Sequence, residues 1–162
     1  MTGKVLITQG TRPFAQRVAK LLPAQQTVLF CAADEMPDVL LRAGNYFKAP
    51  RADTPAYVHE MLKVCLDNEI GTLIPLGENE LYLMAGARPL FLEYGIAVWI
   101  PEAVDLAELA IIANPPRQLP LLVLYNGVAI AGDHESERYD ALSGIFTRSD
   151  SGDELALCCI AD

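Results

Sequence analysis

The residues of this chain that could do chemistry gather in three short turns. Gln9-Gly10-Thr11-Arg12 follows the apolar run Lys4 to Thr8. One glycine, the amides of a following helix, the Thr11 hydroxyl and the Arg12 guanidinium could together hold an anion. The competing reading is a tight turn that needs Gly10 and nothing more. The spacing is not G-x-G-x-x-G, because Arg12 and Ala15 occupy the second and third glycine positions. A pyrophosphate would meet a side chain there, so a dinucleotide is not expected. The second turn carries Asp34 and Glu35, where an acid could accept from a ribose hydroxyl or an amine, or simply be solvated. The third is Gly77-Glu78-Asn79-Glu80. Glu78 or Asn79 could cap the next helix, or Glu78 and Glu80 could face a cleft as amine acceptors. A helix dipole favours carboxylates at its start in either case.

Other chemistries lack their residues. His59 sits beside Val58 and Glu60 on a helical pattern, and His134 lies in the polar stretch Asp133-His134-Glu135. Neither has a histidine four residues on or a cysteine nearby, so no metal site is expected. Ser136, Ser143 and Ser151 stand in no G-x-S-x-G context. The cysteines are Cys31, Cys65, Cys158 and Cys159, with no C-x-x-C spacing, and they read as buried, reduced thiols. No catalytic residue and no cofactor is expected in this chain.

These turns need elements to position them. Lys4 to Thr8 and Thr27 to Ala32 read as buried strands. Between them Phe14, Val18, Leu21 and Leu22 recur at helical spacing, with Pro13 suited to a first turn. Asp38 to Gly44 suggests a short helix and Tyr46 to Lys48 a short strand. A helix is predicted over Pro55–Glu69, with Thr54 as its N-cap and Val58, Met61, Leu62, Cys65 and Leu66 as its apolar stripe. The strand Thr72–Leu76 follows, with Pro75 at its end, then a helix over Asn79–Glu93, the strand Ile96–Ile100 and a helix over Ala103–Ala113. Such alternation implies α/β architecture: a Rossmann-like, doubly wound parallel sheet of order 3-2-1-4-5 with right-handed crossovers.

After Pro116 the pattern changes. Leu119–Tyr125 and Val128–Ala131 flank Asn126-Gly127, a strong signal for a tight hairpin. Gly132 to Ser143 reads as a loop, and Ile145–Arg148 and Glu154–Ile160 flank a second turn over Ser149–Asp153. Residues 1–116 are therefore expected to form the α/β domain. Residues 117–162 are expected as an antiparallel extension that lengthens one edge of the same sheet or lies at a dimer interface.

Composition narrows the partners. With 162 residues the chain fits one domain with a small appendage, and 52% of its residues are hydrophobic. The formal net charge of −9 opposes a phosphate backbone, so no nucleic acid is expected. No apolar run reaches the ~18 residues of a membrane span, so no membrane partner is expected. The N-terminus has no signal-peptide pattern, which points to a cytoplasmic address. The C-terminal strands are apolar on both faces, and a second copy would cover them in a homodimer.

Residues 1–112 resemble the N-terminal, pre-ATP-grasp domain of ATP-grasp ligases. That family includes the large chain of carbamoyl phosphate synthetase, biotin carboxylase and amino-acid ligases of the pyrrolysine-biosynthesis type. The carrying residues are KVLITQGTRPFAQRVAKLL, NYFKAPRADTPAYVHEMLKVCLDNEIGTLIPLGENELYLMA and YGIAVWIP. The family's Phe-x-x-Pro-Arg-like stretch falls on Phe47 to Arg51, its Ile-Pro on Ile74-Pro75, and its acidic loop on Gly77 to Glu80. The chain departs from the pattern after its last predicted helix. Asn114-Pro115-Pro116-Arg117 stands where the family has a lysine, and no glycine-rich lid or Glu/Asn pair for magnesium follows. ATP and magnesium are therefore not carried over.

The resemblance implies a non-catalytic domain that binds a small anionic or amino-acid-like ligand, or docks on a separate ATP-grasp subunit. The alternatives are the N-terminal part of a divided or truncated ligase, and a nucleotide-binding Rossmann-like protein. The expected ligand set is Gly10, Thr11, Arg12, Asp34, Gly77, Glu78 and Glu80, all at carboxyl ends of neighbouring strands.

Overall fold

The computed structural model describes residues 3–132, 140–148 and 154–161. Its first sheet is parallel, with β1 (Lys4–Ile7), β2 (Val28–Ala32), β3 (Tyr46–Lys48), β4 (Ile70–Ile74) and β5 (Ala97–Val98) in the order β3-β2-β1-β4-β5. This is the predicted order. The central strands are buried on both faces, which is why they read as continuous apolar runs rather than alternating ones. Val5 and Ile7 join one core, with Phe30 and Ile74. Leu6 joins the other, with Leu29, Cys31 and Leu73. Helix α1 (Pro13–Leu21) covers the first face through Phe14, Ala15 and Val18. Helices α3 (Tyr57–Asp67) and α4 (Leu81–Glu93) cover the second through Met61, Leu62, Cys65, Met84 and Phe91. The short α2 (Asp38–Arg42) buries no residue.

Several boundaries move. Helix α3 starts at Tyr57, not Pro55, and Thr54 does not cap it: the Thr54 hydroxyl donates to the Arg51 carbonyl instead. Tyr57 is buried and Leu66 is 46% exposed, so the apolar stripe is turned toward the helix's start. A single 3-10 turn, Glu78–Glu80, precedes α4. Pro75 falls just past β4, where no ladder donor is needed.

The largest correction lies after β5. The predicted helix over Ala103–Ala113 splits into α5 (Ala103–Glu108) and a strand, β6 (Ala110–Ala113). Leu109 is extended between them, and the β-branched Ile111-Ile112 pair suits the strand. Strand β6 runs parallel to β10 (Leu155–Cys159), which pairs antiparallel with β9 (Gly144–Arg148). Beyond β9 lie β7 (Leu122–Tyr125) and β8 (Val128–Gly132), giving a second five-stranded sheet, β6-β10-β9-β7-β8. The C-terminal strands thus build a sheet of their own and do not lengthen an edge of the first. Asn126 and Gly127 carry the positive φ values, 49° and 80°, of the predicted tight turn. Most of the predicted Gly132–Ser143 loop, with His134 and Ser136, and the Ser149–Asp153 turn, with Ser151, lie outside the described residues.

The two sheets meet through backbone and core. Ile160 N–H donates to Leu76 O (2.7 Å) and Glu78 N–H to Ile160 O (2.9 Å), a parallel bridge opposite Gly77. Side chains of the second sheet alternate between the two cores: Val123, Ile145 and Cys158 enter one, Leu122, Leu124, Phe146 and Leu157 the other. Both apolar faces of β7, β9 and β10 are therefore covered within the chain, without the second copy expected to cover them.

Candidate functional site

The carboxyl ends of β1, β2 and β4 open on one cavity of about 370 Å³. Thr8, Gln9 and Arg12 line it from the first loop, Ala33 and Asp34 from the second, Ala49 to Asp53 from beyond β3, and Asn79 and Glu80 from the third. This is where an open parallel sheet leaves a crevice.

Glu80 organises the floor. It is only 5% exposed. Its Oε2 accepts from the Thr8 hydroxyl (2.6 Å) and the Gly77 amide (2.9 Å), and its Oε1 accepts from the Tyr57 hydroxyl (2.6 Å). Thr8 Oγ1 in turn accepts from Leu76 N–H at 2.8 Å. One carboxylate thus ties together β1, α3 and the turn after β4. Burial, then the Glu80 charge and its hydrogen bond, push the Tyr57 phenol far above its ordinary range, so it stays a donor.

The first loop runs tight over β2. Gly10 N–H donates to Cys31 O at 2.9 Å, and a Cβ on Gly10 would lie 2.5 Å from Phe30 Cβ. The glycine is a packing requirement, and Gly10 does not line the cavity. Gln9 before it has φ 55°, the left-handed region that non-glycine residues seldom enter. Arg12 enters the first turn ahead of α1, and its guanidinium makes no hydrogen bond or ion pair among the described residues. On the far rim Arg51 and Asp53 pair at 3.1 Å while both remain exposed. Each holds the other charged: hydrogen bonding to Arg51 and then its charge lower the Asp53 carboxyl, and Asp53 raises the Arg51 guanidinium. Lys48 Nζ donates to the Ala33 and Asp34 carbonyls, 2.7 and 3.2 Å away, and so fixes the loop carrying Asp34.

Of the seven residues expected from sequence, Arg12, Asp34 and Glu80 line the cavity. Gly10, Thr11, Gly77 and Glu78 do not: Thr11 and Glu78 are exposed elsewhere, and Gly77 backs the Glu80 carboxylate. Gln9, Asn79, Arg51 and Asp53 line it although sequence reasoning did not select them as ligand residues. By residue type Asn79 suits a helix cap, and Arg51 ends the Phe-x-x-Pro-Arg-like stretch. The signal that could have found Gln9 is its place at the end of β1, one residue before the glycine.

The Thr8 and Tyr57 hydroxyls are both committed to Glu80, leaving Arg12 with the Gln9 and Asn79 carboxamides to offer hydrogen bonds. That set suits recognition of a small polar anion or zwitterion. Among the described residues no group of three or more His, Cys, Asp and Glu is arranged to hold a metal. No helix there is long and apolar enough to cross a membrane.

The family model described as "PylC-like, N-terminal domain" matches residues 5–99. The match runs from the second residue of β1 to just past β5 and so takes in all of the parallel sheet but Lys4, and every loop that lines the cavity. No curated protein matches the chain. With the matched sheet order and more than half of the chain covered, this protein belongs to the PylC-like N-terminal domain family, a pre-ATP-grasp type of domain.

Proposed function

We propose that the chain supplies the acceptor-substrate side of an ATP-grasp-related ligase and that its cavity binds a small amino-acid-like ligand. The observation that carries this is the Arg12 guanidinium, unpaired among the described residues, sharing one cavity with two carboxamides at the carboxyl ends of β1, β2 and β4. A carboxylate at Arg12 would gain charge-assisted hydrogen bonds. Asp34 lines the same cavity and could accept from an ammonium. The nucleotide-binding alternative fits less well. Gly10 is spent on packing against Phe30, and Arg12 stands where the close approach of a pyrophosphate needs a glycine.

Docking on a separate ATP-grasp chain belongs to the same reading. Tyr82, Leu83 and Leu92 of α4 and the adjoining Tyr94 are 40–65% exposed, apolar side chains that a partner would cover. A homodimer is the alternative assembly. Sedimentation at micromolar concentration separates 17.6 kDa from twice that mass.

The test is an amide NMR titration with glycine, L-lysine, L-glutamate and L-phenylalanine, alongside ATP–Mg, NAD and NADP. Shifts at Gln9, Arg12 and Asn79 with an amino acid are expected. Saturable micromolar binding of NAD or NADP, with no response to amino acids, would overturn the reading in favour of a nucleotide-binding protein.

A further inference from the structure

Gln9 is one of five non-glycine residues with positive φ among the described residues, and the one of them that lines the cavity at the carboxyl ends of β1, β2 and β4. Its backbone sits at φ 55° while its side chain lines the cavity. The neighbouring Gly10 already meets the steric demand of the turn over Phe30. A glycine at 9 would reach the left-handed region without cost, yet a glutamine stands there. A Cβ placed on Gly77 would lie 2.8 Å from Gln9 Nε2, 2.9 Å from Asn79 Oδ1 and 2.9 Å from Glu80 Oε2. Three polar side-chain ends thus converge on the notch that Gly77 leaves. Glu80 is already held by Thr8, Tyr57 and Gly77. The Gln9 carboxamide makes no hydrogen bond among the described residues. An unfavourable backbone that aims an unused polar group into a cavity is the pattern of strain kept for recognition.

We propose that Gln9 is a specificity-determining residue of this cavity, its carboxamide donating to the anionic end of the bound molecule next to Arg12. This rests on the reading of the cavity as an amino-acid-like site. A neutral carboxamide can donate to a carboxylate, whereas a carboxylate of the same shape would repel one.

The experiment compares wild type with Gln9→Gly and Gln9→Glu, measuring Tm and the affinity for the same four amino acids by calorimetry. Gln9→Gly is expected to keep or raise Tm, since glycine relieves the left-handed backbone, while affinity falls at least about fivefold. Gln9→Glu is expected to lose more affinity than Gln9→Gly. A Gln9→Gly protein that binds like wild type overturns the proposal and leaves the cavity reading standing. A Tm lowered by several degrees in Gln9→Gly gives the side chain a structural role and also overturns it. Wild type that binds none of the four amino acids refutes the cavity reading, and the proposal with it.

Discussion

Removing the Glu80 carboxylate should damage the fold more than any other single change in the cavity. In Glu80→Ala, the Tyr57 hydroxyl and the Gly77 amide lose their acceptor while remaining buried. The Thr8 hydroxyl loses one too but can rotate. Leaving a buried donor unsatisfied costs about 1–3 kcal/mol, so two of them give about 2–6 kcal/mol. Ending the burial of a carboxylate offsets part of this. The net expectation is a loss of about 2–4 kcal/mol, a large share of the ~5–15 kcal/mol that stabilises a domain. Glu80→Gln keeps the volume but turns an amide toward a donor, and about 1–3 kcal/mol is expected.

Trp99, the single tryptophan, gives the assay. It is 2% exposed and stacks on Tyr125 of the second sheet at 5.6 Å, so its fluorescence reports the packing of both sheets. Urea titrations should show a lower midpoint at an unchanged slope. Tyr57→Phe alone should cost about 1 kcal/mol, and almost nothing in the Glu80→Ala background, because the partner has gone. A Glu80→Ala protein within about 0.5 kcal/mol of wild type, the scale of an ordinary surface change, would refute the account of this network.

The other predictions concern packing and titration. Gly10→Ala should cost about 1–3 kcal/mol by urea titration, because its Cβ would fall 2.5 Å from Phe30 Cβ on a buried strand. Gly127→Val should cost about 1–2 kcal/mol, since a β-branched residue must take φ 80° in the hairpin turn. Stability should also fall in alkali. Burial raises the Cys31 thiol well above 9.0 and pushes Cys65 and Cys158 up to about 12, and Tyr57 is raised from 10.0. The folded chain then holds protons that the unfolded chain releases. This contribution is complete below about pH 9 and is lost as pH rises toward 12, by about 1.4 kcal/mol per pH unit for each proton of difference. Urea midpoints at pH 8, 9.5 and 10.5 check the sign, and a stability that rises over that range contradicts it. The four buried cysteines should react with a thiol reagent only after denaturant is added.

The parallel sheet was legible because its signals are local. Short β-branched runs alternate with helical spacings, and each loop carries a glycine, a proline or an acid that ends an element. Pro75 and Asn126-Gly127 fell where their backbone chemistry puts them. The strand β6 was not legible. Ala103 to Ala113 carries helical spacing throughout, and only pairing with β10, some 45 residues away, makes its last part a strand. The separate second sheet was missed for the same reason. Its other four strands read correctly as strands, but nothing local says that Ile160 docks beside Gly77. At the cavity, residue type drew attention to glycines and acids. Gly10 and Gly77 proved to shape the backbone, whereas Gln9 and Asn79, unremarkable by type, face the space.

Calorimetric titration of Arg12→Ala against wild type, with the amino acid that binds wild type, tests the central claim most directly. If Arg12 holds the carboxylate in this cavity, affinity should fall by about 1.5–3 kcal/mol, roughly 10- to 150-fold, at an unchanged Tm. An Arg12→Ala protein that binds as tightly as wild type would remove the guanidinium from the site and contradict the account.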